Sequence, residues 1–92
     1  MTFRIDARVV ERRLILQLVG DLRIEHLDAL KVQIEAATVP DIVLDVSALA
    51  LISVEGIRFL NACDSAGIAV ENPCPYISEW MTLERKATAK DA

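Results

Sequence analysis

The chain has 92 residues, of which 53% are hydrophobic, 4% aromatic and 26% charged, and its net charge is −4. This length fits one domain with its own core rather than two. The high apolar content excludes intrinsic disorder, which accompanies low hydrophobicity and high net charge. Four aromatic residues require an aliphatic core and leave too little for a surface that stacks nucleic-acid bases.

The charges are unevenly distributed along the chain. Between Asp21 and Glu79 there are ten acidic residues and three basic ones. This acidic middle argues against nucleic acid and against anionic membrane as partners, because both bind basic patches. No apolar run approaches the length of a membrane span, and no signal peptide precedes the first strand pattern. The two cysteines form no disulfide framework, so these features together favour a reduced, cytoplasmic, soluble protein.

The first half of the chain changes from strand to helix patterning. Apolar and charged residues alternate over 3–9, which predicts a strand with one dry face. Residues 14–19 are apolar on both faces, which predicts a more central strand, joined to the first by a hairpin. Gly20-Asp21 is predicted to end this strand. Over 24–37 apolar residues recur at steps of three and four, which predicts an amphipathic helix.

The second half predicts two strands and two helices. Residues 41–46 predict a buried strand parallel to the second strand, because a helix lies between them. An apolar loop over 47–52, a helix over 54–66 and a short strand over 68–70 are expected to follow. The third helix is predicted from the apolar stripe Tyr76, Ile77, Trp80 and Leu83.

The elements therefore follow the order β-β-α-β-α-β-α, which indicates an α/β fold with a mixed sheet and helices packed on it. The domain is predicted to span 1–85. Residues 86–92 are small and polar, and we expect them to form a disordered tail.

The residue types that usually perform catalysis are scarce. With no phosphate-binding glycine motif and one histidine, His26, the sequence predicts no catalytic residue, no metal and no cofactor. His26 is expected to be an exposed helix residue, and Cys63, on an apolar helix face, an inert core thiol. Cys74 lies between two prolines at a helix start, where a thiolate can be stabilised. A small thiol enzyme that uses Cys74 is therefore kept as an alternative.

Two aspartates, Asp21 and Asp45, lie at or near the ends of predicted strands. If they converged at one edge of the sheet, they would form a carboxylate pair of the kind that performs acid–base chemistry. The alternative is that each accepts hydrogen bonds from turn amides, which is the more common role of aspartates at strand ends.

Residues 42–60, which read I-V-L-D-V-S-A-L-A-L-I-S-V-E-G-I-R-F-L, resemble the central segment of STAS domains. This is the family of anti-sigma-factor antagonists and of the cytoplasmic domains of sulfate transporters. Its pattern is a strand of V-L-D-L type, a small apolar loop, then D-S-S-G-L and a helix. Upstream, residues 18–22 (L-V-G-D-L) are similar to the family's L-x-G-E-L. The resemblance covers about 3–83 and implies a single-domain STAS-like fold.

The resemblance also implies a protein-binding module that is controlled by phosphorylation. In the family, a partner kinase phosphorylates the serine before the glycine at the start of the second helix, and the phosphorylated protein releases its partner. Matched position by position, Gly56 takes the glycine position and Glu55 the position of the phosphorylated serine. Val54 takes the position of the preceding serine, and Ser53 that of the aspartate. The standard switch is therefore absent, because Glu55 has no hydroxyl group.

Three interpretations of Glu55 are open. It is a partial imitation of phosphoserine, with less charge and fewer acceptor oxygens. Alternatively, the site is unregulated and the module binds its partner constitutively. In the third, the acid simply stabilises the helix start through the helix dipole, by about 0.3–1 kcal/mol. Ser53 is predicted to be the N-cap of this helix, with phosphorylation of Ser53 as the alternative.

The sequence thus predicts a non-enzymatic regulatory module whose partner is an anti-sigma kinase-like protein. The alternative is a small cytoplasmic STAS subunit of an ABC-type or anion transporter, since both share the fold and docking surface. The acidic middle favours a basic partner surface. The predicted partner interface comprises Asp21, Arg23, Leu49, Ser53, Val54, Glu55 and Arg58. The apolar residues Leu49, Leu51 and Ile52 are either core or part of a contact patch beside Glu55.

Overall fold

The structure, a computed structural model, describes residues 3–90, and for 88–90 it describes the backbone alone. The elements are β1 (Phe3–Val10), β2 (Arg13–Leu22), a single 3-10 turn (Ile24–His26), α1 (Leu27–Glu35), β3 (Asp41–Ile52), α2 (Val54–Ser65), β4 (Ala69–Glu71) and α3 (Pro75–Lys90). Apart from the 3-10 turn, their order is β-β-α-β-α-β-α, which confirms the prediction from periodicity.

The strands form one mixed sheet in the order β1-β2-β3-β4. β1 pairs antiparallel with β2, whereas β3 pairs parallel with both β2 and β4. The predicted hairpin and the predicted parallel pairing across a helix are therefore both confirmed. β2 lies between two neighbours, as its continuous apolar sequence indicates.

The core lies on one face of this sheet. Leu14, Leu16 and Leu18 of β2 belong to a single buried cluster with residues of all three helices, so the helices share that face. The largest fully buried side chains are Leu16, Leu18, Leu22, Leu30, Leu44, Val46, Ile57, Leu60 and Ile77. All of them are aliphatic, as the shortage of aromatic residues requires.

Two predicted boundaries were wrong, and both lie where β2 and β3 end. Gly20-Asp21 does not end β2, and 47–52 is not a loop, because β2 continues to Leu22 and pairs with β3 as far as Ile52. The ladder shifts register twice, between Gln17 and Val19 and between Gly20 and Asp21. Gly20 has a φ of 96°, a conformation that glycine adopts without steric cost and that suits a bulge. The longer strands bring the end of β2 beside the start of α2.

The buried face of α3 differs from the predicted stripe. Ile77 is confirmed as core and is fully buried, but Met81 accompanies it, whereas Tyr76 and Leu83 are 42% and 57% exposed. The helix orientation follows from its packing on α2, where the Asn61 amide donates a hydrogen bond of 3.0 Å to the Met81 carbonyl. This contact between distant parts of the chain is not visible in the helical period of α3 alone.

The boundary predicted at residue 85 falls inside α3, which continues to Lys90. Alanine and lysine are strong helix formers, and 86–90 contains two of each. Residues 91 and 92, the end of the predicted tail, lie outside the described residues.

Candidate functional site

The start of α2 is fixed to the end of β2 by two hydrogen bonds at Ser53. Its backbone N–H donates to the carbonyl of Leu22 at 3.0 Å, and its Oγ accepts from the N–H of Gly56 at 3.2 Å. The predicted N-cap is therefore confirmed. The cap bond satisfies an otherwise unpaired amide of the first turn, and it therefore holds Val54 and Glu55, which lie between Ser53 and Gly56, in a defined position.

Gly56 allows α2 to approach the sheet closely. It is buried, and a Cβ at this position would lie 2.7 Å from Cγ1 of Ile52 and 3.4 Å from Cδ2 of Leu22. No other residue has a side chain small enough to avoid these atoms. The glycine of the motif thus has a packing role, as expected for a residue on the core face of the helix.

Glu55 is half-buried in the first turn of α2, beside a surface groove of about 410 Å³. The groove is lined by Arg23, Ile24, Glu25, Leu51, Ile52, Ser53 and Glu55. Two of its apolar side chains are strongly exposed, Ile24 at 60% and Leu51 at 50%. We call Arg23, Ile24, Leu51, Ser53 and Glu55 the switch surface, because it includes Glu55, which the sequence resemblance predicts to take the switch position.

The structure brings together three residues of the predicted interface, Arg23, Ser53 and Glu55, in this one groove. Leu49, also predicted there, is 7% exposed and belongs to the core, so its side chain does not reach the surface. Ile52 is core as well. The sequence left open whether Leu49, Leu51 and Ile52 belong to the core or to a contact patch. Of these three, Leu51 is the one that is exposed in the groove, with half of its area in solvent.

The other predicted interface residues on α2 lie outside the groove. Val54 is half-buried, and Arg58 is exposed one turn further along the helix. The Nε of Arg58 donates to Oε1 of Glu84 at 3.0 Å, which links α2 to α3. In the free protein, Arg58 therefore already forms an exposed ion pair with Glu84.

Ile24 was not among the predicted interface residues. It is the first residue of the helix predicted over 24–37, but the structure places it in the 3-10 turn with its side chain 60% exposed. Ile24 lies three residues before Leu27 and therefore fits the apolar stripe, so the helical pattern gave no signal that its side chain is exposed.

Asp21 is buried, with 6% of its area exposed. Its Oδ2 is buried and has no hydrogen-bond partner among the described residues, and the nearest cation, Nη2 of Arg23, is 3.9 Å away. Burying a carboxylate oxygen without a hydrogen bond opposes folding. Asp21 lies opposite Leu51 in the sheet and does not line the groove, because its side chain is buried.

We expect Asp21→Asn to stabilise the free protein by about 1 kcal/mol, because the amide keeps the shape and removes the buried charge. The measurement is the free energy of unfolding in urea. Asp41→Asn is the control, since Asp41 is an exposed carboxylate at the start of β3, and it should change stability by less than about 0.5 kcal/mol. Destabilisation by Asp21→Asn would show that the carboxylate contributes favourably to the fold.

Asp21 and Asp45 do not converge. Asp45 lies opposite Gln17 in the ladder and Asp21 opposite Leu51, several residues further along β3. The Oδ1 of Asp45 accepts a hydrogen bond of 3.0 Å from the N–H of Ser47, and this bond lowers the pKa of Asp45 from 3.8. Folding therefore favours the ionised form of Asp45. The resulting stabilisation is fully present above the ordinary pKa of 3.8 and is lost as the pH falls through the lower pKa of the folded state.

The prediction that His26 is an exposed helix residue is wrong. Its ring is half-buried and stacks on Phe3 at 4.6 Å between centroids, and its Nδ1 accepts from the N–H of Arg23 at 3.2 Å. Both contacts come from outside the helical pattern, which is why the helix period did not reveal them. His26 thus holds the backbone of Arg23 at the edge of the switch surface.

The thiols differ in burial. Cys63 is 6% exposed, and burial raises the pKa of its thiol to about 11, which agrees with the predicted core role. We expect iodoacetamide near neutral pH to modify Cys74 in the folded protein and to reach Cys63 after unfolding, since the thiolate is the reactive form. Peptide mass spectrometry measures both rates. If Cys74 reacts much faster than free cysteine, the thiol-enzyme alternative gains support.

The described residues contain neither a helix suited to span a membrane nor a cluster suited to bind a metal ion. Within 3–90, no helix combines the length and the apolar character needed to cross a bilayer. The same part of the chain contains no cluster of three or more histidine, cysteine or carboxylate side chains arranged to hold a metal ion.

Comparison with known proteins gives matches among solved structures. No family model and no curated protein sequence matches the chain. The structure of the anti-sigma factor antagonist SpoIIAA in its unphosphorylated form matches with a TM-score of 0.67 and 17% identity, over 97% of this chain and 96% of that chain. The chain has a STAS-like fold. The expected fold class is therefore confirmed.

A second match is the crystal structure of Mglu, with a TM-score of 0.53 and 24% identity. It covers 76% of this chain but 20% of that chain, so the likeness concerns one part of a much longer protein. At such identities, the STAS-like likeness is one of fold.

Proposed function

We propose that this chain is a non-enzymatic, protein-binding regulatory module of the anti-sigma-factor-antagonist type, which binds its partner through the switch surface. The observation that carries the proposal is the exposure of Ile24 and Leu51 beside half-buried Glu55 at the start of α2. Exposed apolar side chains grouped within a polar rim are typical of protein-binding surfaces. The likeness to SpoIIAA, an anti-sigma factor antagonist, supports the same function.

The partner is expected to be a kinase-like regulatory protein with a basic docking surface. Residues 21–79 carry ten acids and three bases, so electrostatic attraction favours a positively charged partner. The groove is lined by one acid from α2, Glu55 of the switch surface, and by one from the 3-10 turn, Glu25. Arg23 at its rim adds a local positive charge that helps to fix the orientation of the partner.

The charge at position 55 is fixed, so we propose that binding is constitutive. Phosphoserine carries about −1.5 to −2 charges and three acceptor oxygens, whereas glutamate carries one charge and two oxygens. Glu55 is therefore at most a partial substitute for the phosphorylated state. The hydroxyl of Ser53 already accepts the amide of Gly56, and a phosphate on Ser53 would have to replace that cap bond.

Glu55→Ser tests whether position 55 is the regulated position. We expect the wild-type protein to gain no phosphate from a kinase-like partner with ATP, because the acceptor hydroxyl is absent. Glu55→Ser is expected to keep the fold, to accept phosphate at position 55 and to bind the partner in an ATP-dependent manner. Intact-mass and peptide mass spectrometry locate the phosphate, and calorimetry measures the affinity.

The matched control for this experiment is Glu79→Ser, which places a serine at an exposed acidic position of α3 away from the groove. It should remain unphosphorylated and bind like the wild type. Equal affinity of wild type and Glu55→Ser, with and without ATP, would contradict the assignment of position 55. Phosphate on Ser53 of the wild type would contradict constitutive binding. A partner recovered from the membrane fraction as a transporter component would favour the alternative role of transporter subunit.

A further inference from the structure

The outer edge of β1 is an exposed strand edge on the opposite side of the sheet from β4. β1 has eight residues and pairs with β2 on one side, and among the described residues no strand pairs with its other side. Its end carries two exposed valines, Val9 at 63% and Val10 at 47%. Long, exposed strand edges are templates for pairing with another chain. By contrast, β4 at the other edge has three residues.

We propose that β1 pairs antiparallel with β1 of a second copy of this chain, about a two-fold axis normal to the sheet. The two four-stranded sheets would then form one continuous sheet, with the helices of both copies on the same side. This inference does not rest on the proposed function, since β1 contributes no residue to the switch surface.

The order of side chains along β1 determines the register. Ile5, Ala7 and Val9 point to the helix side, because they alternate with Arg4, Asp6 and Arg8 and lie opposite Leu18, Leu16 and Leu14 of β2. When Ala7 lies opposite Ala7 of the second copy, Asp6 lies opposite the second copy's Arg8. On the helix side, Ile5 then lies opposite the second copy's Val9. By symmetry, the charge pair and the apolar pair each occur twice.

Neighbouring registers are unfavourable. With Asp6 on the axis, Asp6 lies opposite Asp6 of the second copy, and Arg4 lies opposite the second copy's Arg8. With Arg8 on the axis, two arginines lie opposite one another. Directly opposed like charges destabilise a strand pair, and opposite charges stabilise it. With Ile5 on the axis, Arg4 lies opposite Asp6, but Val9 and Val10 have no partner within β1 (Phe3–Val10) of the second copy, whereas with Ala7 on the axis both have one.

The side chains are available for this pairing. The side chains of Arg4 and Asp6 are 66% and 49% exposed, and they form an exposed ion pair of 3.2 Å. Asp6 would then lie between Arg4 of its own chain and Arg8 of the second copy. Pairing of a single strand buries a small area, so the dimer is expected to be reversible and to depend on concentration.

Charge reversal tests this arrangement by sedimentation equilibrium. The wild-type mass is expected to rise with concentration from 10.2 kDa toward twice that value. Asp6→Arg and Arg8→Asp should each remain monomeric, because each variant opposes like charges. An equimolar mixture of the two should dimerise again, since every charged pair across the axis is then of opposite sign.

Each result decides for or against the proposal. A wild type that stays monomeric at millimolar concentration, a single variant that dimerises like the wild type, or a mixture that stays monomeric would each overturn it. Circular dichroism verifies that the variants fold, which we expect because both positions are exposed.

Disulfide trapping provides a test that does not depend on charge. In a Cys74→Ser background, Ala7→Cys should form a disulfide-linked dimer on oxidation, because opposed Cα atoms in an antiparallel pair are about 4.5–5.5 Å apart, within disulfide range. Arg4→Cys is the control, since it lies opposite Val10 of the second copy and should not cross-link. Equal cross-linking of Ala7→Cys and Arg4→Cys would overturn the register.

Discussion

Replacing Gly56 with alanine is expected to destabilise the protein by about 1–2 kcal/mol, although alanine is the better helix former. In an unconstrained helix this change stabilises by up to about 1 kcal/mol. Here the added Cβ would lie 2.7 Å from Cγ1 of Ile52, which is buried between α2 and the sheet. Overpacking of a filled core costs about 1–3 kcal/mol, which exceeds the gain in helix propensity.

A double-mutant cycle with Ile52 isolates the cause of this effect. Ile52→Ala alone should cost about 2–4 kcal/mol, because it removes a core side chain and leaves a cavity. In the Ile52→Ala background, Gly56→Ala should raise the free energy of unfolding by about 1 kcal/mol. The new methyl group enters the vacated space, and alanine has a higher helix propensity than glycine. Urea unfolding of the four proteins gives both values. The same sign in both backgrounds would contradict steric conflict with Ile52.

The order of elements was predictable from the sequence because it depends on local periodicity. Alternation over 3–9 predicts β1 and the stripe at Leu27 and Leu30 predicts α1, and the structure confirms both elements. The expected dry face of β1 is wrong in its second half, because Ala7 and Val9 lie on the outermost strand and are exposed. The ends of β2 and β3 were not predictable in this way. Glycine is a residue type that commonly ends a strand, so Gly20 suggested a strand end. Its actual role in a bulge depends on pairing with residue 49, far along the chain.

The register shifts between β2 and β3 also made part of the candidate site unpredictable from the sequence. Leu44 and Val46 are buried at alternate positions, but the next buried leucine is Leu49, and Leu51, two residues later, is exposed. A regular strand would place Leu49 and Leu51 on the same face. The shifts of register in the β2–β3 ladder break this rule, and they arise from the pairing of two strands rather than from either sequence alone.

The local part of the site was predictable. The Ser53 cap depends on a hydrogen bond to an amide three residues away, and the packing of Gly56 depends on its position on the helix. Both are encoded within one turn of α2. The contribution of Ile24 and the stacking of His26 on Phe3 required the tertiary structure, because they join segments that no local pattern relates.

Leu49 and Leu51 form a matched pair that separates stability from binding. They are the same residue type in the same strand, 7% and 50% exposed. We expect Leu49→Ala to lower the free energy of unfolding by about 2–4 kcal/mol, because it leaves a cavity in the core. Leu51→Ala should change it by less than about 0.5 kcal/mol, since half of its side chain is already in water.

Binding should show the opposite pattern if the switch surface is the docking site. Leu51→Ala is expected to weaken affinity for the partner by about tenfold or more, because an apolar side chain at the centre of an interface contributes more than 1 kcal/mol. Leu49→Ala, assayed at a temperature at which it remains folded, should bind within about twofold of the wild type, since its side chain lies beneath the surface. Calorimetry with the purified partner measures both. Loss of binding by Leu49→Ala while folded, with Leu51→Ala unaffected, would place the docking site elsewhere on the molecule.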